Sequence, residues 1–210
     1  MLASLLGPVP DNAALANIPD DRVLSAMAKR IFATGFVWRV IETKWPGFED
    51  AFLGFEPKRL LFQPDDFWGE LSSDPRIVRH ATKIKAVRDN AAFIVRITDK
   101  HGSFGRFLAN WPADDQIGLT DWLARHGARL GGHTGAYLLR FLGWDAFILW
   151  SDVVAALRDA GLDVAANPTS KKDRAAIQAQ INHWADETSL PRSHISRILA
   201  FSIGENSIPA

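Results

Sequence analysis

Four groups of residues in this sequence have types and spacings that could do chemistry. The first is a glycine turn, Leu130-Gly131-Gly132-His133, standing before a helical pattern that opens at Thr134. Adjacent glycines admit backbone conformations that a side chain forbids, and the first amides of a helix have no partners within it. Such a turn can aim N–H groups at a phosphate, or it can simply join two helices. Glycine spacing alone leaves both readings open. The second is Asp152, an acid at the start of the next helical pattern. It can cap that helix and meet its dipole; held against a reacting carbon, it can stabilise positive charge and orient a water. The third is Trp38 with Glu42 four residues on, which puts an aromatic face and an acid on one side of a helix. With eight Trp and thirteen Phe in the chain, packing in the core competes with any such role. The fourth is a pair of acid-free basic runs, Arg76 to Arg88 and Arg125 to Arg140, the second bracketing the glycine turn. Clustered cations suit phosphate contact, though on helices they are more often a solvated face. The second run, with Arg129 inside it, is the one expected to contact a polyanion.

Composition narrows the field. The 210 residues are 47% hydrophobic, enough to bury a core without staples. No cysteine is present, which excludes disulfides, iron–sulfur clusters, thiolate zinc sites and Cys–His catalysis. The six histidines show no metal-ligand spacing, so no metal is assigned. No apolar run approaches the roughly 20 residues of a membrane helix. Met1 to Pro10 is apolar but short, without a basic leader, and reads as a packing arm. A soluble cytoplasmic monomer is the expectation, with no membrane partner. Twenty-four basic residues offset 24 acidic ones, so net charge argues mildly against a polyanion. Only the local runs argue for one.

The elements that must position these groups are helical almost throughout, because apolar residues recur at helical spacing and hairpin signals are absent. Asp20 and Asp21 are expected to cap a helix carrying Val23, Leu24, Met27 and Ile31. Gly35 breaks that run, a second runs from Phe36 to Lys44, and Pro46 opens another with Phe48, Ala51 and Phe52 inward. One long helix spans residues 82–98, a short one 103–111, and another 119–126, ended by Gly127. The helix after the glycine turn runs from Thr134 to Leu142 and stops at Gly143. Ser151 is expected to cap 152–160; Thr169 or Ser170 caps a helix to about Thr188; a last helix begins near Pro191. The fold class is all-α.

The turn Leu130-Gly131-Gly132-His133-Thr134-Gly135-Ala136, then Gly143-Trp144, then Asp152 eighteen residues after Thr134, resembles the helix–hairpin–helix DNA glycosylase superfamily. Gly35-Phe36-Val37-Trp38, Phe52, Gly54-Phe55-Glu56-Pro57, Arg79, Lys83-Ile84-Lys85-Ala86 and Asn90-Ala91 look like the bacterial DNA-3-methyladenine glycosylase I family. The resemblance implies a two-lobed all-α fold, with 1–210 as one compact glycosylase domain, 119–143 as its helix–hairpin–helix element, and a pocket between lobes. It implies hydrolysis of the N-glycosidic bond of an alkylated purine, foremost 3-methyladenine, in damaged double-stranded DNA. The base must be flipped out of the duplex to be reached.

By the same resemblance Asp152 is the catalytic acid. Trp38, Glu42 and Trp150 are base-pocket candidates, Trp38 because its face suits a cationic base. Arg129, Gly131, Gly132, His133 and Thr134 are the DNA-binding residues. Members that also nick the strand carry lysine where this chain has Thr134, and a hydroxyl forms no Schiff base. A monofunctional enzyme is therefore implied, without redox or nucleotide cofactor; the related hairpins can hold a monovalent cation. Two departures stand out. The family's cysteine–histidine zinc site has no thiolates here. The family also places a glutamate eight residues before the pocket tryptophan, where this chain has Arg30; a cation there would repel a methylated cationic base. Glu42 is the nearest replacement acid. A different damaged base, or a non-catalytic DNA-binding or damage-sensing role, are the alternatives.

Overall fold

A computed structural model describes residues 6–203. Among them every regular element is helical, as the periodicity requires. The heart of the bundle is α2 (Asp20–Ala33), with α1 (Asn12–Ala16) before it. Val23, Leu24, Met27, Ala28, Ile31 and Phe32 of α2 are at most 1% exposed, so its apolar stripe is wholly covered. It packs on α6 (Ala81–His101), α3 (Trp38–Ala51) and α9 (His133–Leu142). Asp20 does not cap it: Pro19 is the N-cap, and Asp20 sits in the first turn. Its carboxylate instead accepts from Thr98 Oγ1 and from the amide of Phe104 at 2.9 Å. That ties the start of α2 to the corner between α6 and α7 (Phe104–Ala109). Helix α1 was not anticipated. It is five residues long, too short for periodicity, and is held by Asp11, which accepts from the amides of Ala13 and Ala14.

Pro46 does not open a helix either. Helix α3 runs through it, although proline has no N–H to offer the carbonyl of Glu42. A run of aromatic contacts bridges the weak point. Trp45 stacks on Phe48 at 4.9 Å and on Phe55 at 5.5 Å, and Phe52 stacks on Phe55 at 5.2 Å. The short helices α4 (Pro57–Leu61) and α5 (Asp65–Glu70) complete this side. Glu49 joins α3 to α2: its carboxylate accepts from both terminal nitrogens of Arg22, from Ser25 at 2.7 Å and from Trp45 Nε1 at 3.0 Å.

Two apolar clusters form. The larger extends from Leu15 to Ala146 and includes the inward faces of α8 (Gln116–His126) and α9. The smaller holds Phe147 from the segment before α10 (Ser151–Asp159), and Val153, Leu157, Val164, Ile177 and Ile181 from α10, α11 (Lys171–Thr188) and the segment between them. Helix α12 (Arg192–Ser202) packs on α10 and α11. The junction falls at Phe147, whose amide and carbonyl both pair with the buried carboxamide of Gln116 at 2.7 Å. Helix boundaries shift accordingly. Helix α8 begins at Gln116 because Asp115 caps it through Gly118 N. Helix α10 begins at Ser151, so Trp150 is its N-cap and Ser151 caps nothing. Ser170 does cap α11, through Asp173 N. Of the expected N-terminal arm, residues 1–5 lie outside the described residues. Leu6 O and Pro8 O accept from Arg197 and His194 of α12.

Burial alone would raise the Glu49 pKa. Hydrogen bonds from Arg22 and Ser25 more than reverse this, and the carboxyl titrates below its ordinary value near 4.5. The network's contribution is thus complete above that value and is lost as pH falls through the lowered one. Glu49→Gln is expected to cost about 1–3 kcal/mol at neutral pH and to flatten the acid limb of stability. Urea denaturation at several pH values between about 3 and 7 measures both.

Candidate nucleic-acid interface and base site

The hairpin joins α8 to α9 and is anchored from behind. Asn90, fully buried on α6, donates through Nδ2 to Ala128 O at 3.0 Å and accepts from Ala128 N at 2.8 Å. One carboxamide thus satisfies both backbone groups of one residue. Leu130 is buried as the apolar anchor. Between these two, Arg129 is exposed and takes the left-handed backbone, φ +59°, which side chains rarely adopt. Gly132 follows at φ +58°, ψ −141°, a conformation open essentially to glycine. Gly131 has no such need, since its φ is not positive and a Cβ would meet only ordinary contacts. The close approach is at Gly135, where a Cβ would lie 2.6 Å from Leu130 O. Among the described residues no protein group accepts from the amides of Gly131, Gly132, His133 or Thr134. They stand at the N-terminus of a ten-residue helix, where a phosphate oxygen finds both donors and dipole.

Two basic groups near the turn are not free for DNA. Arg140 is largely buried and donates to Ala146 O at 2.7 Å and to Ser196 Oγ at 3.0 Å. Burial, with repulsion from Arg197, pushes its pKa down to about 10. It ties α9 to the smaller cluster and leaves the expected phosphate-contacting run. His133 bonds Leu149 O at 3.0 Å through Nε2 and rests on Trp150, ring centroids 4.9 Å apart. The first basic run is mostly consumed: Arg76 pairs with Asp74, Lys85 with Asp89 and Arg88 with Asp65. Lys83 is buried and donates to Phe32 O and Thr34 O at the end of α2, its pKa lowered by burial and by Arg129. Arg129 is exposed and forms no ion pair among the described residues.

Trp38 and Trp150 are brought into one chain of contacts. Trp150 Nε1 donates to Tyr137 OH at 2.5 Å, and Tyr137 faces the guanidinium of Arg30, which lies over the ring of Trp38. Phe141, one turn along α9 from Tyr137, closes the group. Tyr137 and Phe141 were not expected; their four-residue spacing on one face of α9 was the available signal. Glu42 is exposed and contacts Lys29 at 3.9 Å, so it adjoins the group from the solvent side without entering it. Asp152 is half-buried, second in α10, and makes no cap bond; its one side-chain partner is Ser151 Oγ at 3.3 Å. The capping role is thus not used, and the carboxylate keeps most of its acceptor capacity.

A cavity of about 380 Å³ beside the hairpin is lined by Gln116, Thr120, Asp121, His133, Asn167 and Arg174, and by neither tryptophan nor Asp152. No three His, Asp or Glu side chains converge as a metal site among the described residues, and without cysteine the resembled zinc site has no thiolates. No described helix is long and apolar enough to cross a membrane.

Comparison with known proteins locates this arrangement. The family model for methyladenine glycosylase matches residues 16–124, which hold Arg30, Trp38, Glu42 and Asn90 and stop short of the hairpin turn. A solved structure of 3-methyladenine DNA glycosylase I from Staphylococcus aureus is 23% identical and superposes with a TM-score of 0.53 over 60% of this chain and 77% of that one. A variant of 3-methyladenine DNA glycosylase I in complex with 3-methyladenine is 22% identical, TM-score 0.54, over 66% and 80%. These likenesses are of fold. No curated protein matches the chain.

Removing the clamp behind the hairpin leaves a buried N–H and C=O unpaired. Asn90→Leu should cost about 2–4 kcal/mol in urea denaturation. It should also weaken duplex binding at a temperature where the variant stays folded. Unchanged duplex affinity would mean that Asn90 does not set the hairpin's geometry.

Proposed function

The chain belongs to the methyladenine glycosylase family, and from that premise we propose how its own residues carry out base excision in DNA. The substrate is an alkylated purine, with 3-methyladenine the first candidate, because a relative's structure holds that base. The observation that carries the reading is one helix serving two sites. The N-terminus of α9 offers unpartnered amides for a phosphate, and Tyr137 and Phe141 of the same helix border the aromatic group that includes Trp38. A backbone phosphate held at the first point sets the reach of a flipped nucleotide to the second.

Asp152 acts on the sugar. As the C1′–N bond lengthens, the base leaves with the bonding electrons and C1′ gains positive charge, which the carboxylate stabilises. The same group orients a water whose oxygen bonds to C1′ and whose proton is lost, leaving an abasic site and free base. An alkylated base is already a good leaving group and needs no strong acid from the protein. Thr134 occupies the place at which a lyase would need an amine, so the strand is not cut. The protein works as a monomer on double-stranded damaged DNA, Arg129 adding one phosphate contact beside the hairpin amides.

Asp152→Asn should slow single-turnover release of base from a 3-methyladenine duplex by about a hundredfold or more; equal rates would remove Asp152 from the chemistry. Arg129→Ala should lower the slope of log affinity against log salt by about one unit. An unchanged slope would take Arg129 off the interface. Duplex binding with no release by the wild-type protein would favour a damage-sensing role over catalysis.

A further inference from the structure

The guanidinium of Arg30 is a cation held without an anion. Its Cζ lies 4.6 Å from the ring centroid of Trp38, 4.9 Å from Phe141 and 5.4 Å from Tyr137. Its Nε is buried and has no hydrogen-bond partner among the described residues. The acid in its field, Glu42, contacts Lys29 instead. A structural arginine spends its fork on carbonyls and carboxylates, as Arg140 does in this chain on Ala146 and Ser196. Arg30 does the opposite, setting its charge against aromatic faces with donor capacity unspent. Burial pushes its pKa down, opposed by Tyr137 and Glu42. Lys29 Nζ, 5.3 Å from the Trp38 ring, adds a second charge of the same sign.

We infer that Arg30 sets the charge selectivity of the base site, narrowing its preference for cationic N-alkylated purines such as 3-methyladenine and admitting neutral purine lesions that present two acceptors on one edge. The inference rests on Trp38 being the face on which the base stacks, and deepens that reading by naming the charge of the base. A cationic base laid against Trp38 meets a guanidinium in a setting poor in water, where like charges repel more strongly than in bulk. A neutral purine with a carbonyl and a ring nitrogen side by side matches the guanidinium fork, as the O6 and N7 edge of guanine does. The aromatic faces by themselves favour a cationic base, so any discrimination against it comes from the arginine.

Single-turnover release from duplexes bearing one 3-methyladenine, a cation, or one hypoxanthine, neutral with a carbonyl beside a ring nitrogen, tests this. Arg30→Met keeps the apolar stem and removes charge and donors. The cationic-to-neutral rate ratio should then rise by about tenfold or more, while Arg30→Lys, which keeps the charge but loses the fork, should raise it by less. Equal gains on both duplexes would mean that Arg30 merely fills space, and an unchanged ratio that it lies outside the base's field; either overturns the inference. A second readout does not depend on turnover. Tryptophan-fluorescence titrations compare 7-methylguanosine, cationic in mildly acidic buffer, with neutral guanosine. Arg30→Met should shift their affinity ratio toward the cation by about tenfold. If no duplex loses a base in any variant, the proposed reaction fails, and these titrations still decide Arg30: a shifted ratio upholds its role and an unshifted one overturns it.

Discussion

A buried carboxamide that pairs with both backbone groups of a single residue is the constraint on which this structure depends, and the chain uses it twice. Asn90 takes Ala128 just before the hairpin turn, and Gln116 takes Phe147 just after helix α9. A carboxamide carries one acceptor and one donor group that together match the N–H and C=O of one residue. In a core where water is excluded, losing such a partner costs far more than the bond contributes when made. The two ends of the hairpin segment are thus fixed to α6 and α8 at points about twenty residues apart in sequence. What lies between them, the turn and α9, is presented to solvent as a rigid insert.

That rigidity lets one helix link two tasks. Gly132 and Arg129 adopt positive φ because Ala128 and Leu130 are held on either side of Arg129, and Gly135 lets the turn close on the helix. The amides left over at the start of α9 face no protein acceptor. One turn further along, Tyr137 carries the hydroxyl that receives Trp150 Nε1, and so connects the loop before α10 to the aromatic group around Arg30. Electroneutrality fits this design. With no net charge, and with Arg76, Lys83, Lys85, Arg88 and Arg140 of the two basic runs paired or buried, long-range attraction to a polyanion is weak, and contact relies on backbone donors and on Arg129.

Much of this was legible in residues. The α2 stripe from Val23 to Phe32, the long α6, the glycine turn and the Ser170 cap all follow from periodicity and local hydrogen-bond chemistry, which act over a few residues. The roles of Asp20, Pro46, Ser151 and Arg140 did not. Asp20 serves the corner between α6 and α7 rather than its own helix. Pro46 is carried inside α3 by aromatic contacts from beyond it. Arg140, read as a surface cation, is consumed by a loop and a distant helix. Asp20 and Arg140 depend on partners far along the chain, and no local pattern encodes such a partner.

The sequence by itself determined the all-helical class, the absence of any thiolate site, the glycine turn before a helix, and the presence of Arg30 eight residues before Trp38. These are properties of residue type and short-range spacing. Only the tertiary structure decided what Arg30 faces. Trp38, Tyr137 and Phe141 come from two different helices, more than ninety residues apart at the extremes. Packing of α2 against α3 and α9 is what encloses a single cation between them. Charge is written in the sequence, but the dielectric and the neighbours that give it meaning exist only once the helices have packed.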